Sequence, residues 1–155
     1  MRALLKTLDL FRNLGDEELE LVSLLFRQEA FKKGETLFRD REPGGKIFVV
    51  DCGVVELWKT GGAEGRPARV ALVERGEILG ELSLADDGAR GVNATAAVTP
   101  ETKVYAADVP AFQALLAQHP ALANKILRNL LRRLGARLRV ATETLRGLVC
   151  TLDVP

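Results

Sequence analysis

The chain has 155 residues, 47% hydrophobic and 28% charged, with a formal net charge of +1. That length and balance fit one globular domain plus an extra element. They exclude a chain that is polycationic throughout and seeks nucleic acid by charge alone.

Taken in order, residues 1–26 read as helical. Leu4, Leu5, Leu8 and Phe11 make a short apolar face, which Asn13, Leu14 and Gly15 interrupt. Asp16 is the expected N-cap of a second helix reaching about Arg27, with acids gathered in its first turn as the helix dipole favours. From Gln28 the period shortens to that of strands separated by turn residues. Strands are expected over 29–31, 36–39, 46–51, 54–60, 69–74, 92–98 and 102–107, with strong turn signals at Arg41–Lys46 and Gly61–Pro67. This number of short strands with glycine-rich turns points to two packed sheets around one core, a jelly roll. After Asp108 the helical period returns. Val109-Pro110 opens a helix ending at His119, and Pro120 opens a long one reaching about Gly147.

The long helix carries the clearest periodicity. Leu127, Leu131, Leu134, Leu138, Ala141, Leu145 and Leu148 alternate in steps of four and three, the seam of a two-stranded coiled coil, and hence of a homodimer. Gly135 inside it weakens the helix by about 1 kcal/mol relative to alanine. Charge is concentrated here too. Residues 1–119 hold 15 basic and 19 acidic residues, a net −4, whereas 120–147 hold seven basic residues against Glu143, a net +6. Such a run is usually a solvated face, and it has no interleaved aromatic on which bases could stack.

Catalytic signatures are sparse. The one histidine, His119, precedes Pro120 at a helix junction, so a multi-histidine metal centre has no ligands to draw on. There is no G-x-S-x-G elbow and no Walker-type loop. Cys52 and Cys150 form no CxxC and no metal-ligand spacing and read as reduced cytosolic thiols. No apolar run approaches the roughly 18 residues that cross a bilayer. The mixed-charge N-terminus is unlike a signal peptide. The expectation is a cytoplasmic, non-enzymatic protein without metal or cofactor.

The stretch most suggestive of a site is Gly76–Thr95. Gly80 lets backbone approach a ligand closely, and the amides from Gly80 to Ser83 suit an anion such as phosphate. Glu81 sits in an otherwise apolar run, where a carboxylate needs donors. Gly80-Glu81-Leu82-Ser83-Leu84 resembles the first half of the phosphate-binding cassette of the cyclic nucleotide-binding domain family. The second half of that cassette reads Arg-(Ser/Ala)-Ala-Thr. Here Ala94-Thr95 match, but Val92 and Asn93 stand where Arg and Ser/Ala are expected, and Arg90 lies two residues earlier. Two other stretches share the resemblance: Leu10–Leu19, like the family's entry helices, and Phe31 to Gly53, with its Gly34-Glu35 and Pro43-Gly44, where Arg41 replaces a family glycine. It covers about residues 8–147.

The resemblance implies a double-stranded β-helix, mainly β with N-terminal helices, over 1–119. It also implies a dimerisation helix over 120–147, leaving a tail at 148–155. The implied ligand is a cyclic nucleotide. The implied binding residues are Gly80, Glu81, Leu82, Ser83, Arg90, Asn93, Ala94 and Thr95, with Glu81 accepting from the ribose 2′-hydroxyl. Residues of the long helix would lie over the base, for which Asn124, Arg128, Asn129, Arg132 and Thr142 are polar candidates. The family's transcription regulators continue into a helix-turn-helix domain, and here only Leu148–Pro155 follows the helix. Two readings stay open: a regulatory cyclic nucleotide sensor, and a domain that has lost that ligand and serves as a dimerising interaction module. A pocket moved to a cyclic dinucleotide or phospholipid head group is a variant of the second, and DNA binding by the basic helix alone is a third class.

Overall fold

The computed structural model describes residues 1–43, 45–59, 66–85, 92–96 and 100–152, with Asn93 and residues 148–152 described by their backbone. Two short helices, α1 (Arg2–Thr7) and α2 (Asp16–Ser23), flank a 3-10 turn at Asp9–Phe11. Among the described residues eight strands follow: β1 (Arg27–Lys32), β2 (Thr36–Phe38), β3 (Lys46–Cys52), β4 (Val55–Lys59), β5 (Ala68–Val73), β6 (Ile78–Leu79), β7 (Asn93–Ala96) and β8 (Glu101–Asp108). A second 3-10 turn, Glu81–Leu84, comes straight after β6. The chain closes on α3 (Val109–Gln118) and α4 (Pro120–Leu152).

The strands form two four-stranded antiparallel sheets, ordered β1-β8-β3-β6 and β2-β7-β4-β5. This is the expected roll, mainly β with helices at its N-terminal end and a long C-terminal helix. Residue alternation divides its apolar material into two cores. On β3, Phe48 and Val50 face the inter-sheet core with Phe38, Val55, Val73, Leu79, Ala94 and Val104. Ile47 and Val49, one residue out of phase, join the helices. Both faces of β3 are therefore covered, which is why it reads as an unbroken Ile-Phe-Val-Val run. In the helical core the rings of Phe11, Phe26 and Phe112 stand 6.3 Å apart pairwise.

Several expected boundaries move. Gly15, not Asp16, is the N-cap of α2, and its N–H donates to Glu18 Oε2 at 2.7 Å. The helix ends at Ser23, so Arg27 already belongs to β1. The break before it rests on Asn13, a non-glycine residue at φ 65°. β6 is a two-residue strand inside the stretch read only as the start of the cassette. Arg41 holds φ 65°, so the left-handed turn at that point persists without a glycine. α4 continues to Leu152, beyond the expected end at Gly147.

Among the described residues, the buried contacts of α4 lie in its N-terminal half. Leu122, Ile126 and Leu130 are buried in the helical core. Asn129 is buried and donates from Nδ2 to the carbonyls of Leu10 (3.1 Å) and Arg12 (2.8 Å). Lys125 Nζ donates to both carboxylate oxygens of Glu18, at 2.7 and 2.8 Å. From Ala136 to Gly147 every residue is exposed.

Candidate functional site

Strand β6 delivers the chain from the sheet into the Glu81–Leu84 turn through Gly80, which adopts φ +77°. A side chain is strained there, so the glycine is a backbone requirement of this junction. The Ser83 N–H donates to the Gly80 carbonyl at 3.2 Å, closing the turn. The amide expected to offer itself to an anion at Ser83 is thus occupied, and the donors of the turn's first residues are the ones a ligand would meet. Ser83 and Leu84 are buried, whereas Leu82 is 42% exposed.

Glu81 is only 3% exposed. A carboxylate at that depth needs countercharge, and α4 supplies it. Arg137 Nη1 stands 2.7 Å from Glu81 Oε1, and Arg133 Nη2 stands 3.8 Å from the same oxygen. Neither contact is aligned as a hydrogen bond. The turn and the long helix are therefore joined across a charged seam of one carboxylate and two guanidinium groups, a local charge of +1 among the described residues.

The remaining expected residues divide. Ala94 lies on β7, fully buried in the same inter-sheet core as Leu79, the residue before Gly80. Thr95 is half-buried on the opposite face, in register with Thr36 and Glu56. Asn93 is placed by its backbone, paired with Trp58 of β4. Val92 packs against the inter-sheet core, so an apolar contact fills the position where the cassette pattern has arginine. Arg90 lies outside the described residues.

None of the polar α4 residues proposed to lie over a base reaches Glu81. Asn129 is committed to the carbonyls of Leu10 and Arg12, and its Oδ1 accepts from Arg132 Nη1 at 3.1 Å. Thr142 is exposed and donates to the Leu138 carbonyl. Asn124 and Arg128 line a small cleft near Arg12. Arg133 and Arg137 take the role instead. Their helical spacing, four apart on one face, was visible in the sequence, but only a known helix register against the cassette turns that spacing into a site.

Comparison with known proteins agrees with this fold. Residues 28–119 match the cyclic nucleotide-binding domain. The cyclic AMP receptor protein of Thermus thermophilus is 32% identical over 125 residues, covering 81% of this chain and 56% of that protein. The chain spans about half the length of the curated relatives it matches. Among solved structures, the N-terminal domain of a transcriptional regulator from Streptomyces coelicolor A3(2) superposes with a TM-score of 0.76 at 33% identity, over 89% of this chain and 94% of that one. A cyclic nucleotide-binding domain from Methylobacillus flagellatus KT gives 0.78 at 26% identity, over 94% and 80%. With an intact Gly-Glu-Leu turn, the two-sheet roll and the long helix closing over it, the chain belongs to the cyclic nucleotide-binding domain family, in its catabolite activator protein-like form.

Proposed function

We infer that this chain is a non-enzymatic sensor that binds a purine cyclic nucleotide between the Gly80–Leu84 turn and α4, and that it acts as a dimer. The observation that carries the reading is the buried Glu81 with both of its described ion partners on α4. A cyclic nucleotide has one negative charge and a ribose hydroxyl. The hydroxyl donates to Glu81, and the +1 left by Arg133 and Arg137 complements the phosphate. In this account those two arginines provide the charge that Val92 does not. Charge-assisted pairs of this kind are the stronger hydrogen bonds.

Signalling follows from where the arginines sit. A ligand that engages Glu81 changes the partners of Arg133 and Arg137, and so changes how α4 packs on the roll. The size of the response is bounded by the ligand's differential affinity for the two packings. Dimerisation is supported by the stripe Leu131, Leu138 and Leu145, each more than 60% exposed, at seven-residue spacing on the half of α4 that leaves the domain. Seven-residue spacing is that of a coiled-coil seam, so that stripe is assigned to a second copy of the chain.

A thermal-shift panel of cyclic AMP, cyclic GMP, linear AMP and cyclic dinucleotides tests the reading. A ligand at one hundred times its Kd adds about 2.7 kcal/mol of stability. A rise in Tm with cyclic AMP or cyclic GMP and not with linear AMP is expected. No rise with any of them favours the alternative, an interaction module that has lost the nucleotide, which Val92 packed against the core already suits.

A further inference from the structure

A second charged cleft lies on the flank of α4. It has a volume of about 350 Å³ and is lined by Asp9, Arg12, Glu77, Asn129, Arg132, Arg133, Ala136 and Arg137. A smaller cleft of about 200 Å³ shares Arg12, Asn129 and Arg132 and adds Lys125 and Arg128. The two form a basic trough between α4 and the Asp9–Phe11 turn, which meets the Gly80–Leu84 turn at Arg133 and Arg137.

Three observations point to an anion there. The larger cleft holds four arginines against two carboxylates, and the Glu77 carboxylate already accepts from the Glu74 N–H at 2.7 Å. Among the described residues no carboxylate pairs with Arg12, Arg128 or Arg132; the Arg132 guanidinium reaches only Asn129 Oδ1. Arg133 Nε is buried with no hydrogen-bond partner among the described residues. A buried donor left unmatched in this way calls for a group that the protein does not itself provide. Arginine guanidinium groups from two elements, in forked geometry, suit phosphate oxygens better than single point charges do.

The trough also stays open if the helix pairs. At about 100° per residue, Asn129, Arg132 and Ala136 lie on the far side of α4 from Leu131, Leu138 and Leu145. Arg12 is fixed beneath by the Asn129 side-chain amide, which donates from Nδ2 to its carbonyl, so its backbone is anchored while its side chain has no described partner.

We propose that this trough is a second anion site, for a small oligophosphate carrying two or more phosphate groups, beside the cassette and centred on Arg12 and Arg132 instead of Glu81. The proposal does not rest on nucleotide binding at Glu81; Arg133 and Arg137 line both sites, whereas Arg12 and Arg132 belong to the trough and not to the Glu81 site. The test is calorimetric titration of the full chain with inorganic tripolyphosphate at constant ionic strength, with sulfate and a short DNA duplex as comparisons. One saturable site per chain is expected, tighter than sulfate. Arg12→Ala and Arg132→Gln should each weaken it about tenfold or more, the cost of losing one charge-assisted contact. Glu81→Gln should not weaken it. Arg12→Ala removes a side chain without described partners, so an unchanged melting curve will show that the fold is intact. The proposal is overturned by absence of saturable tripolyphosphate binding, by equal affinity in Arg12→Ala, or by duplex DNA outcompeting tripolyphosphate at the same arginines.

Discussion

At Glu81, a carboxylate only 3% exposed is balanced by guanidinium groups from another element. Removing one side of a buried ion pair costs more than the pair contributes, because the remaining charge is left without compensation. Arg137 is about half exposed and Arg133 much less so, so the double variant Arg133→Ala/Arg137→Ala should destabilise by about 2 kcal/mol, below the range for a fully buried pair. Adding Glu81→Gln should restore part of that loss in urea unfolding; no recovery would mean that the arginines matter for packing and not for charge. Glu18 gives a pH-dependent counterpart. Its hydrogen bond from Lys125 holds its carboxyl below the usual carboxylate range, against the opposing effect of burial, with help from the Gly15 N–H. The folded-state pKa is thus lowered, so the latch contributes fully above the unfolded-state pKa and is lost as pH falls through the folded value. Wild type and Glu18→Gln should differ by about 1 kcal/mol at neutral pH and converge once the pH has fallen below the lowered folded-state pKa of Glu18.

The long helix is the element on which the site depends. Its N-terminal half is stitched to the domain by Leu122, Ile126 and Leu130 and by Asn129, whose amide holds the Leu10 and Arg12 carbonyls. Asn129→Ala leaves those carbonyls unmatched under the helix, at a cost of about 1–3 kcal/mol, and should lower the urea midpoint accordingly. If the midpoint holds, water replaces the amide and the latch is not structural. Element types were legible in the sequence because the periods are distinct: the near-continuous Ile47–Val50 run, the alternation of the other strands and the four-three repeat of α4. What stayed illegible was register between distant segments. Asn129 read as a ligand candidate because a polar residue on a helix looks the same whether it faces a pocket or a main-chain carbonyl 117 residues away. Arg133 and Arg137 were missed for the same reason. β6 was missed because two residues carry no period.

For the whole molecule, the roll and the projecting end of α4 pose one question of assembly. Leu134 belongs to the expected seam yet is partly buried against the helical core. Leu138 is 68% exposed and has no such second duty. Leu138→Lys should therefore shift sedimentation from dimer to monomer without lowering the melting temperature of the roll, whereas an unchanged mass would remove the coiled-coil assignment. The central claim, that the Glu81 turn and the α4 arginines together hold a cyclic nucleotide, is tested most directly by calorimetric titration of cyclic AMP into the wild type, Glu81→Gln and Arg137→Ala. The account predicts one saturable site per chain, weakened in each variant by about tenfold or more, as expected for loss of a charge-assisted contact. Equal binding in all three, or tighter binding once Arg137 is removed, would contradict it.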